Sequence, residues 1–548
     1  MEKLRRITKY LFEQNISFSI WSGIFLAMII LRGFIEQFIA KSLPLTPQES
    51  LVEFIHNFYF FVLVIILIWL YLSLILKINP ARLAYIMIWA AFLMLLPPFI
   101  DMARSGGEIF WSFYLLSSLH DLWKQFITIF GNLPSGIVYF GTKITFLIVI
   151  FSCCGLIYIE TRNWIKMFAS ALAVYVILFF MGSFPTFFVY AYDFLLGIKK
   201  VSDIKSFEIT QFFGSPQKIL GLETLSFKYA FAYKLELFYF PLLVFLLLII
   251  FFLSSRKKFF SIAGNLRYPQ LIYHAGLFFL GIGLGFINFR QNFEVNVFSL
   301  VVIFDLLISV WLAWIASVAA NDIYDLEIDK ISNPNRPLPK GIFNHFEYIQ
   351  FGIICFLLSL LGGITVGFNF FFLLLVYQII AWFYSAHPFR LKKFPLIGTF
   401  VSSLALLMIL FLGYILMSDD QTIHTLSWRI ILLLLITYTI SIPIKDLKDM
   451  EGDKKYGIWT IPAILGEKNG RLAVAISHFC SYILSVFFLN ELRLFFWAII
   501  FGVINYAIVV SKKINPHQIF WWVLGIVSIY LLIMIKIIFI NNLGKFNF

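Results

Sequence analysis

The chain has 548 residues, of which 61% are hydrophobic and 13% are charged, and its mean hydropathy is +0.91. This composition excludes an ordinary soluble enzyme. The net charge of +13 does not indicate nucleic-acid binding, because the Lys and Arg residues lie in short segments between apolar runs. The four cysteines lie in apolar runs without metal-ligand spacing and are predicted to be small buried apolar residues.

Apolar runs of about 20 residues recur from one end to the other, and a helix needs that length to cross a bilayer. We therefore predict an all-α polytopic membrane protein with about fifteen spans. Six predicted spans lie near 15–35, 57–76, 83–101, 137–159, 167–190 and 236–254. Nine more lie near 269–289, 296–320, 348–368, 370–386, 396–417, 427–445, 472–490, 494–511 and 518–540.

A basic cluster at 256–258, followed by Gly264, separates the two groups of spans and predicts a domain boundary. Residues 1–254 would form an amino-terminal multi-span domain, in which we recognise no metal, nucleophile or phosphate motif. Residues 255–548 would form the second domain. Basic residues recur in alternate connections, which predicts a cytoplasmic amino terminus. The localisation we expect is multi-pass and integral, which in a prokaryote means the cell membrane.

Two short segments in the second domain carry the same spacing of aspartates. On an α-helix, positions i, i+3 and i+7 fall within about 60° of one another, so each trio would form one acidic stripe. Acidic stripes in a membrane protein are costly unless they hold something positive. A single trio could be a solvated helix end, whereas two with matching flanks favour a binding site. The trios are Asp322, Asp325 and Asp329, and Asp446, Asp449 and Asp453.

The predicted topology places both trios on one face of the membrane. Four predicted spans separate the trios, and an even number returns the chain to the same side. By the charge pattern that side is cytoplasmic. We therefore expect the trios to meet around one ligand.

Basic residues follow the acidic segments, as in Arg336 and Lys392. Carboxylates bind Mg²⁺, Mg²⁺ binds a diphosphate, and Arg and Lys bind the remaining phosphate oxygens. A diphosphate with a hydrocarbon tail would also suit the apolar helices, and bound Mg²⁺ would favour departure of the diphosphate. The alternative for these basic residues is ordinary topology charge.

The same segments are similar to the motifs of the UbiA superfamily of intramembrane prenyltransferases. The motif N-D-x-x-D-x-x-x-D is matched from Asn321 to Asp329, and D-x-x-D-x-x-G-D is matched from Asp446 to Asp453. The loop from Tyr384 to Lys392 resembles Y-S-x-x-P-x-R-L-K. The resemblance covers about 255–548 and implies nine helices around a lipid-open cavity.

The resemblance also implies the roles of individual residues. Two Mg²⁺ ions would bind the metal ligands Asp322, Asp325, Asp446 and Asp449, and Asp329 and Asp453 would complete the catalytic set. The substrate-binding residues would be Asn321, Arg336, Tyr384, Arg390, Lys392 and Lys445.

The implied reaction is the transfer of a prenyl group from a prenyl diphosphate to a lipophilic acceptor. The acceptor could be a quinone precursor, another aromatic ring or a glyceryl phosphate lipid. The partners are then these substrates and membrane lipid, without nucleic acid, and the oligomeric state is left open. Two alternatives remain: a polyprenyl-phosphate phosphoribosyltransferase of the same superfamily, and a transporter. Transporters usually place ionisable groups near the midplane, whereas these trios follow the ends of spans.

Four further polar residues are not assigned to the predicted binding site. Glu327 and Glu451 would point about 140° away from their stripes and are left out of the site. Asp305 lies inside a predicted span and is a candidate functional residue for that reason. His478, also inside a span, is expected to satisfy a local hydrogen bond.

Overall fold

The computed structural model describes residues 2–35, 47–105, 115–116, 118–131, 140–198, 200, 204–222 and 227–540. Within these ranges the chain is almost entirely helical and contains no β-strand. The predicted all-α fold class is confirmed.

The contacts between residues divide the chain into two compact units. The first unit contains Met1–Gln217 and Thr224–Arg256, and the second contains Lys218–Glu223 and Lys257–Phe548. The second unit therefore includes a short segment from the amino-terminal half of the chain.

The helices of the amino-terminal half are α1 Glu2–Glu13, α2 Phe18–Phe34, α3 Pro47–Leu76, α4 Pro80–Phe92, α5 Leu96–Ser105, α6 Leu119–Ile127, α7 Phe140–Thr161, α8 Trp164–Gly182, α9 Phe184–Leu196, α10 Ser206–Gly214, α11 Phe227–Ser254 and α12 Arg256–Gly264. In the first unit, α3 packs against α11 and α7 packs against α8. The polar stretch 191–235 contains α10, and α9 ends and α11 begins within it. Buried apolar side chains such as Ile209 and Phe213 explain why this stretch folds against the unit.

The second unit contains all of α12 except Arg256. Its further helices are α13 Tyr268–Asn288, α14 Val297–Tyr324, α15 Leu326–Ser332, α16 His345–Val366, α17 Phe368–Ser385, α18 Ile397–Ile415, α19 Trp428–Ser441, α20 Met450–Lys455, α21 Ile461–Leu489, α22 Phe495–Val510 and α23 Pro516–Ile535. The main packing pairs are α14 with α16, α13 with α18 and α21 with α22.

Fourteen helices among the described residues are long and apolar enough to cross a membrane. Nine of them lie in the second unit, and each matches one of the nine predicted spans. Five lie in the first unit, and the bent pair α1 and α2 would make a fifteenth span if it crosses as one. The fifth predicted span, 167–190, is broken at Ser183 between α8 and α9.

Side-chain caps fix where several helices of the second unit begin. Asn296 accepts a hydrogen bond from the Ser299 backbone N–H (2.9 Å) and starts α14. Asn344 and Glu347 form a reciprocal capping box at the start of α16. These caps satisfy backbone N–H groups that the first helical turn leaves unpaired.

Candidate functional site

The first acidic segment is not one regular helix. α14 ends at Tyr324, Asp325 has φ −102° and ψ 13°, and the short helix α15 follows. The bonds from Asp325 N–H to the Asn321 carbonyl (2.9 Å) and from Asp329 N–H to the Asp325 carbonyl (2.8 Å) keep the aspartates on neighbouring turns. The simple stripe predicted for a continuous α-helix is therefore corrected to a bent one.

The second acidic segment departs further from the prediction. Residues Ile442–Lys448 form a 3₁₀-helix, Asp449 breaks it with φ −100° and ψ 3°, and α20 follows. A 3₁₀-helix has three residues per turn, so Asp446 and Asp449 lie one above the other. Asp453 lies on the short helix α20.

The two acidic segments contact each other directly. Asn333 donates one hydrogen bond to Asp329 (3.0 Å) and one to Asp449 (3.1 Å) from the same side-chain amide. α15 and α20 pack closely at Gly452, where an added Cβ would collide with Ser332 Oγ. The meeting of the trios, which the span count predicted, is thus present in the structure.

Asp322 is the most completely surrounded of the aspartates, with 1% of its side chain exposed. It pairs with Arg267 (2.5 Å) and Arg336 (3.3 Å). It also accepts hydrogen bonds from Asn265 (2.9 Å) and the Tyr348 hydroxyl (3.0 Å). Its carboxylate therefore holds two arginines in place, and its role as a metal ligand stays a prediction.

Asp325 is held by the loop after α17. Arg390 donates to it at 2.9 Å, and Lys392 forms a second, buried ion pair with it. Lys392 also donates to Asn321 Oδ1 (3.1 Å), which accepts from Ser385 Oγ as well (3.2 Å). The structure therefore brings the third motif loop onto the first acidic segment.

Lys445 lies between the second acidic segment and Tyr384. Its ammonium donates to the Tyr384 hydroxyl (3.0 Å) and lies 4.8 Å from the centre of that ring. Asp446 is the next residue, and both line the same cavity. Glu327 pairs instead with Lys330 (2.6 Å) on an exposed surface, and Glu451 is exposed.

A cavity of about 480 Å³ opens beneath these charges, within the second unit. Ten of the twelve predicted site residues lie on its wall. The other two lie behind the wall, where Arg390 pairs with Asp325 and Asp322 pairs with Arg267 and Arg336. The acidic residues on the wall are Asp325, Asp329, Asp446, Asp449 and Asp453, and the basic ones are Arg267, Arg336, Lys392, Lys445 and Lys448. The remaining wall is formed mainly by apolar side chains of α13, α17, α18, α19, α21 and α23.

Burial changes the proton affinity of the groups just outside the membrane spans. Burial raises the pKa of Asp329 to about 6, although Arg336 opposes the change. Burial, assisted by the charges of Asp446 and Asp449, raises the pKa of Asp453 to about 8. Burial also lowers the pKa of Lys392, against the attraction of Asp325. The charged groups of the site are therefore largely shielded from water, and the pKa of each depends on the charges beside it.

The donor set fits Mg²⁺, although Asp325 and Asp329 also form ion pairs with Lys and Arg side chains. Among the described residues, no three acidic, His or Cys side chains stand close enough to hold a metal ion by themselves. Mg²⁺ requires fewer, because it commonly uses one or two carboxylates together with substrate phosphates and water. The carboxylates on this wall supply such oxygens, and the neighbouring bases suit phosphate.

Two basic residues of the site were not predicted from the sequence. Arg267 pairs with Asp322, and Lys448 lies on the cavity wall beside Asp449. Lys448 adjoins the second motif and could have been selected for that reason. Arg267 is 55 residues from Asp322 in the chain, and the packing of α13 against α14 brings the two together. The sequence alone does not show this contact.

Comparison with known proteins adds an independent finding. Residues 293–518 match the UbiA prenyltransferase family. The digeranylgeranylglyceryl phosphate synthase of Pyrococcus horikoshii is 28% identical over 165 residues, covering 30% of this chain and 57% of that protein. The homogentisate phytyltransferase of Synechocystis sp. is 32% identical over 186 residues, covering 30% of this chain and 56% of that protein. The chain spans a little over half the length of these curated relatives.

Among solved structures, a UbiA homologue from Archaeoglobus fulgidus bound to DMAPP and Mg²⁺ aligns with this chain. The TM-score is 0.38 and the identity 20%, with 48% of this chain and 94% of that chain covered.

Proposed function

We propose that this chain, whose residues 293–518 form a domain of the UbiA prenyltransferase family, transfers a prenyl group from a prenyl diphosphate to a lipophilic acceptor within the membrane. The observation that carries the proposal is the cavity, which has acidic and basic side chains at one end and apolar helices around the rest. A diphosphate with a hydrocarbon tail has the same division. The curated relatives are named as enzymes that act with prenyl groups, which supports the same reaction class.

The residues proposed to hold magnesium are Asp325, Asp446 and Asp449, with Asp329 and Asp453 beside them. Bound Mg²⁺ would neutralise the negative charge that develops on the diphosphate as its bond to carbon breaks. Asn321 is held by Ser385 and Lys392, so its amide oxygen faces the same region. For Asp322, which the sequence predicted as a fourth metal ligand, we propose instead that it acts from behind the cavity wall by orienting Arg267 and Arg336.

The ion pairs suggest how the site changes when substrate enters. In the structure, Arg336 pairs with Asp329 and Lys392 pairs with Asp325. A diphosphate supplies an alternative acceptor for these cations, and the freed carboxylates can then face metal. Because an unpaired buried charge is costly, the exchange favours binding of metal and diphosphate together.

The apolar part of the cavity would hold the prenyl chain. Leu277 and Leu280 of α13 and Leu406 of α18 contribute to its wall. Tyr384, beside the charged end, would keep water from the reacting carbon. The charged end is proposed to face the cytoplasm, as the distribution of Lys and Arg predicts.

The test supplies membranes containing the protein with Mg²⁺, a radiolabelled prenyl diphosphate and a panel of acceptors. The expected result is a labelled lipid product whose formation requires Mg²⁺ and is lost in Asp446→Asn and Asp325→Asn. Glu451→Gln, which changes an exposed carboxylate of the same segment, is the matched control. Transfer from phosphoribosyl diphosphate to a polyprenyl phosphate, without prenyl transfer, would contradict the proposal, as would full activity in both aspartate variants.

A further inference from the structure

Polar side chains also line the cavity below its charged end. Among the described residues, the Lys and Arg side chains on the cavity wall all belong to segments at the charged end. Further down, α19, α21 and α23 present polar but uncharged side chains, which a hydrocarbon chain does not need. They are Thr437, Tyr438, Ser441, His478, Ser481, Tyr482, Ser485, Ser528 and Tyr530.

Most hydroxyls of this wall already have partners within the protein. Ser481 Oγ bonds to the Ser477 carbonyl (2.9 Å) and to Ser441 Oγ (2.9 Å). Ser485 Oγ bonds to the Tyr482 carbonyl (2.6 Å) and to the Tyr530 hydroxyl (2.6 Å). These hydroxyls are therefore compatible with an apolar environment and do not by themselves define a site.

His478 is different, because one of its ring nitrogens is left over. The residue is 5% exposed and contributes to the cavity wall. Its ring forms a hydrogen bond with the backbone of Ser441. Nε2 is buried and has no hydrogen-bond partner among the described residues. Burying a polar nitrogen without a partner is costly, so a hydrogen-bond donor bound at this position would be stabilised.

The position of His478 relative to the acidic residues is set by its contact with Ser441. Ser441 precedes Asp446 by five residues, which corresponds to about 8–10 Å along the helical segment. A group bound at His478 would therefore lie below the diphosphate, within the membrane. Since the cations on the cavity wall lie at the charged end, this depth does not suit a phosphate.

We propose that His478 is a specificity-determining residue, whose Nε2 accepts a hydrogen bond from an uncharged hydroxyl group of the acceptor lipid. The inference rests on the proposed prenyl transfer and specifies its second substrate. In the neutral imidazole, the nitrogen bonded to the Ser441 backbone is the donor, and the other nitrogen keeps its lone pair. The acceptor is then a phenol or an alcohol that carries its hydroxyl into the bilayer.

The first experiment measures binding and does not depend on turnover. A long-chain 4-alkylphenol and its methyl ether, which differ in the hydrogen-bond donor, are titrated against the protein in nanodiscs. The wild-type protein should bind the phenol about tenfold more tightly, as one buried neutral hydrogen bond allows. His478→Leu should remove this preference, and His424→Leu, which changes an exposed histidine, should keep it. Equal binding of phenol and ether by the wild type overturns the proposal, even where the leucine variant does not fold.

The second experiment is kinetic. His478→Leu should raise the KM of a hydroxylated acceptor about tenfold and leave the KM of prenyl diphosphate within about twofold. A change confined to the KM of prenyl diphosphate would mean that this wall holds the prenyl chain, and would overturn the proposal. A glyceryl phosphate acceptor whose KM ignores His478→Leu would overturn it too. Absence of prenyl transfer with every acceptor counts against the proposed function, whereas the phenol preference tests His478 separately.

Discussion

Gly452 lies where the two acidic segments touch, so one added methyl group tests whether this contact sets magnesium affinity. In Gly452→Ala the new Cβ would collide with Ser332 Oγ and approach Ile328 Cγ2 to 3.1 Å. α20 is helical at this position, and alanine favours a helix over glycine by about 1 kcal/mol. That gain is the same whether α15 and α20 are together or apart. The substitution is therefore expected to act through the contact.

Overpacking of this kind costs about 1–3 kcal/mol. If the segments separate to relieve it, the apparent affinity for Mg²⁺ falls about 5-fold to 150-fold, since 1.4 kcal/mol corresponds to a factor of ten. The assay is prenyl transfer as a function of Mg²⁺ concentration at saturating prenyl diphosphate. Every predicted metal ligand is still present in this variant, so the loss reports geometry alone.

The control for Gly452→Ala removes the atom that it meets. The double variant Gly452→Ala/Ser332→Gly should recover most of the lost affinity, and Ser332→Gly alone should resemble the wild type. Unchanged Mg²⁺ dependence in Gly452→Ala would refute the reasoning. A loss that Ser332→Gly does not repair, with an unaltered melting temperature, would refute it as well.

Three further outcomes are expected. Asp322→Asn weakens the pairing that holds Arg336, so the KM of prenyl diphosphate should rise about tenfold or more, with little change in the Mg²⁺ requirement; an unchanged KM would argue against this positioning role. Gly221→Val places a side chain against the Ser418 backbone and should lower the melting temperature in detergent by several degrees, because the 218–222 segment can no longer pack; an unaltered melting temperature would show that the segment does not stabilise the second unit. Glu451→Gln should retain activity within about twofold, and a large loss would bring that carboxylate into the site.

The contrast between Asp322 and Asp446 illustrates how much of the site could be predicted. The repeated spacing selects both aspartates, and the span count predicts that their segments meet. The spacing cannot distinguish a carboxylate on the cavity wall from one enclosed by Arg267, Asn265 and Tyr348. That difference arises from helices far apart in the sequence.

The sequence by itself determined the class of protein, the nine membrane-length helices of the second unit and most of the residues that form the charged site. The length of an apolar run and the spacing of motif residues are local properties, so both can be found in the sequence without knowing the fold. Tertiary packing decided the local geometry of the acidic segments, because the 3₁₀ turn before Asp449 brings its aspartates into a different register. It also decided which cations accompany them, and it left His478 Nε2 without a hydrogen-bond partner in the described part of the chain. The motif shows Gly452 only as a small residue, and the packing of α15 against it explains why a larger side chain would not fit.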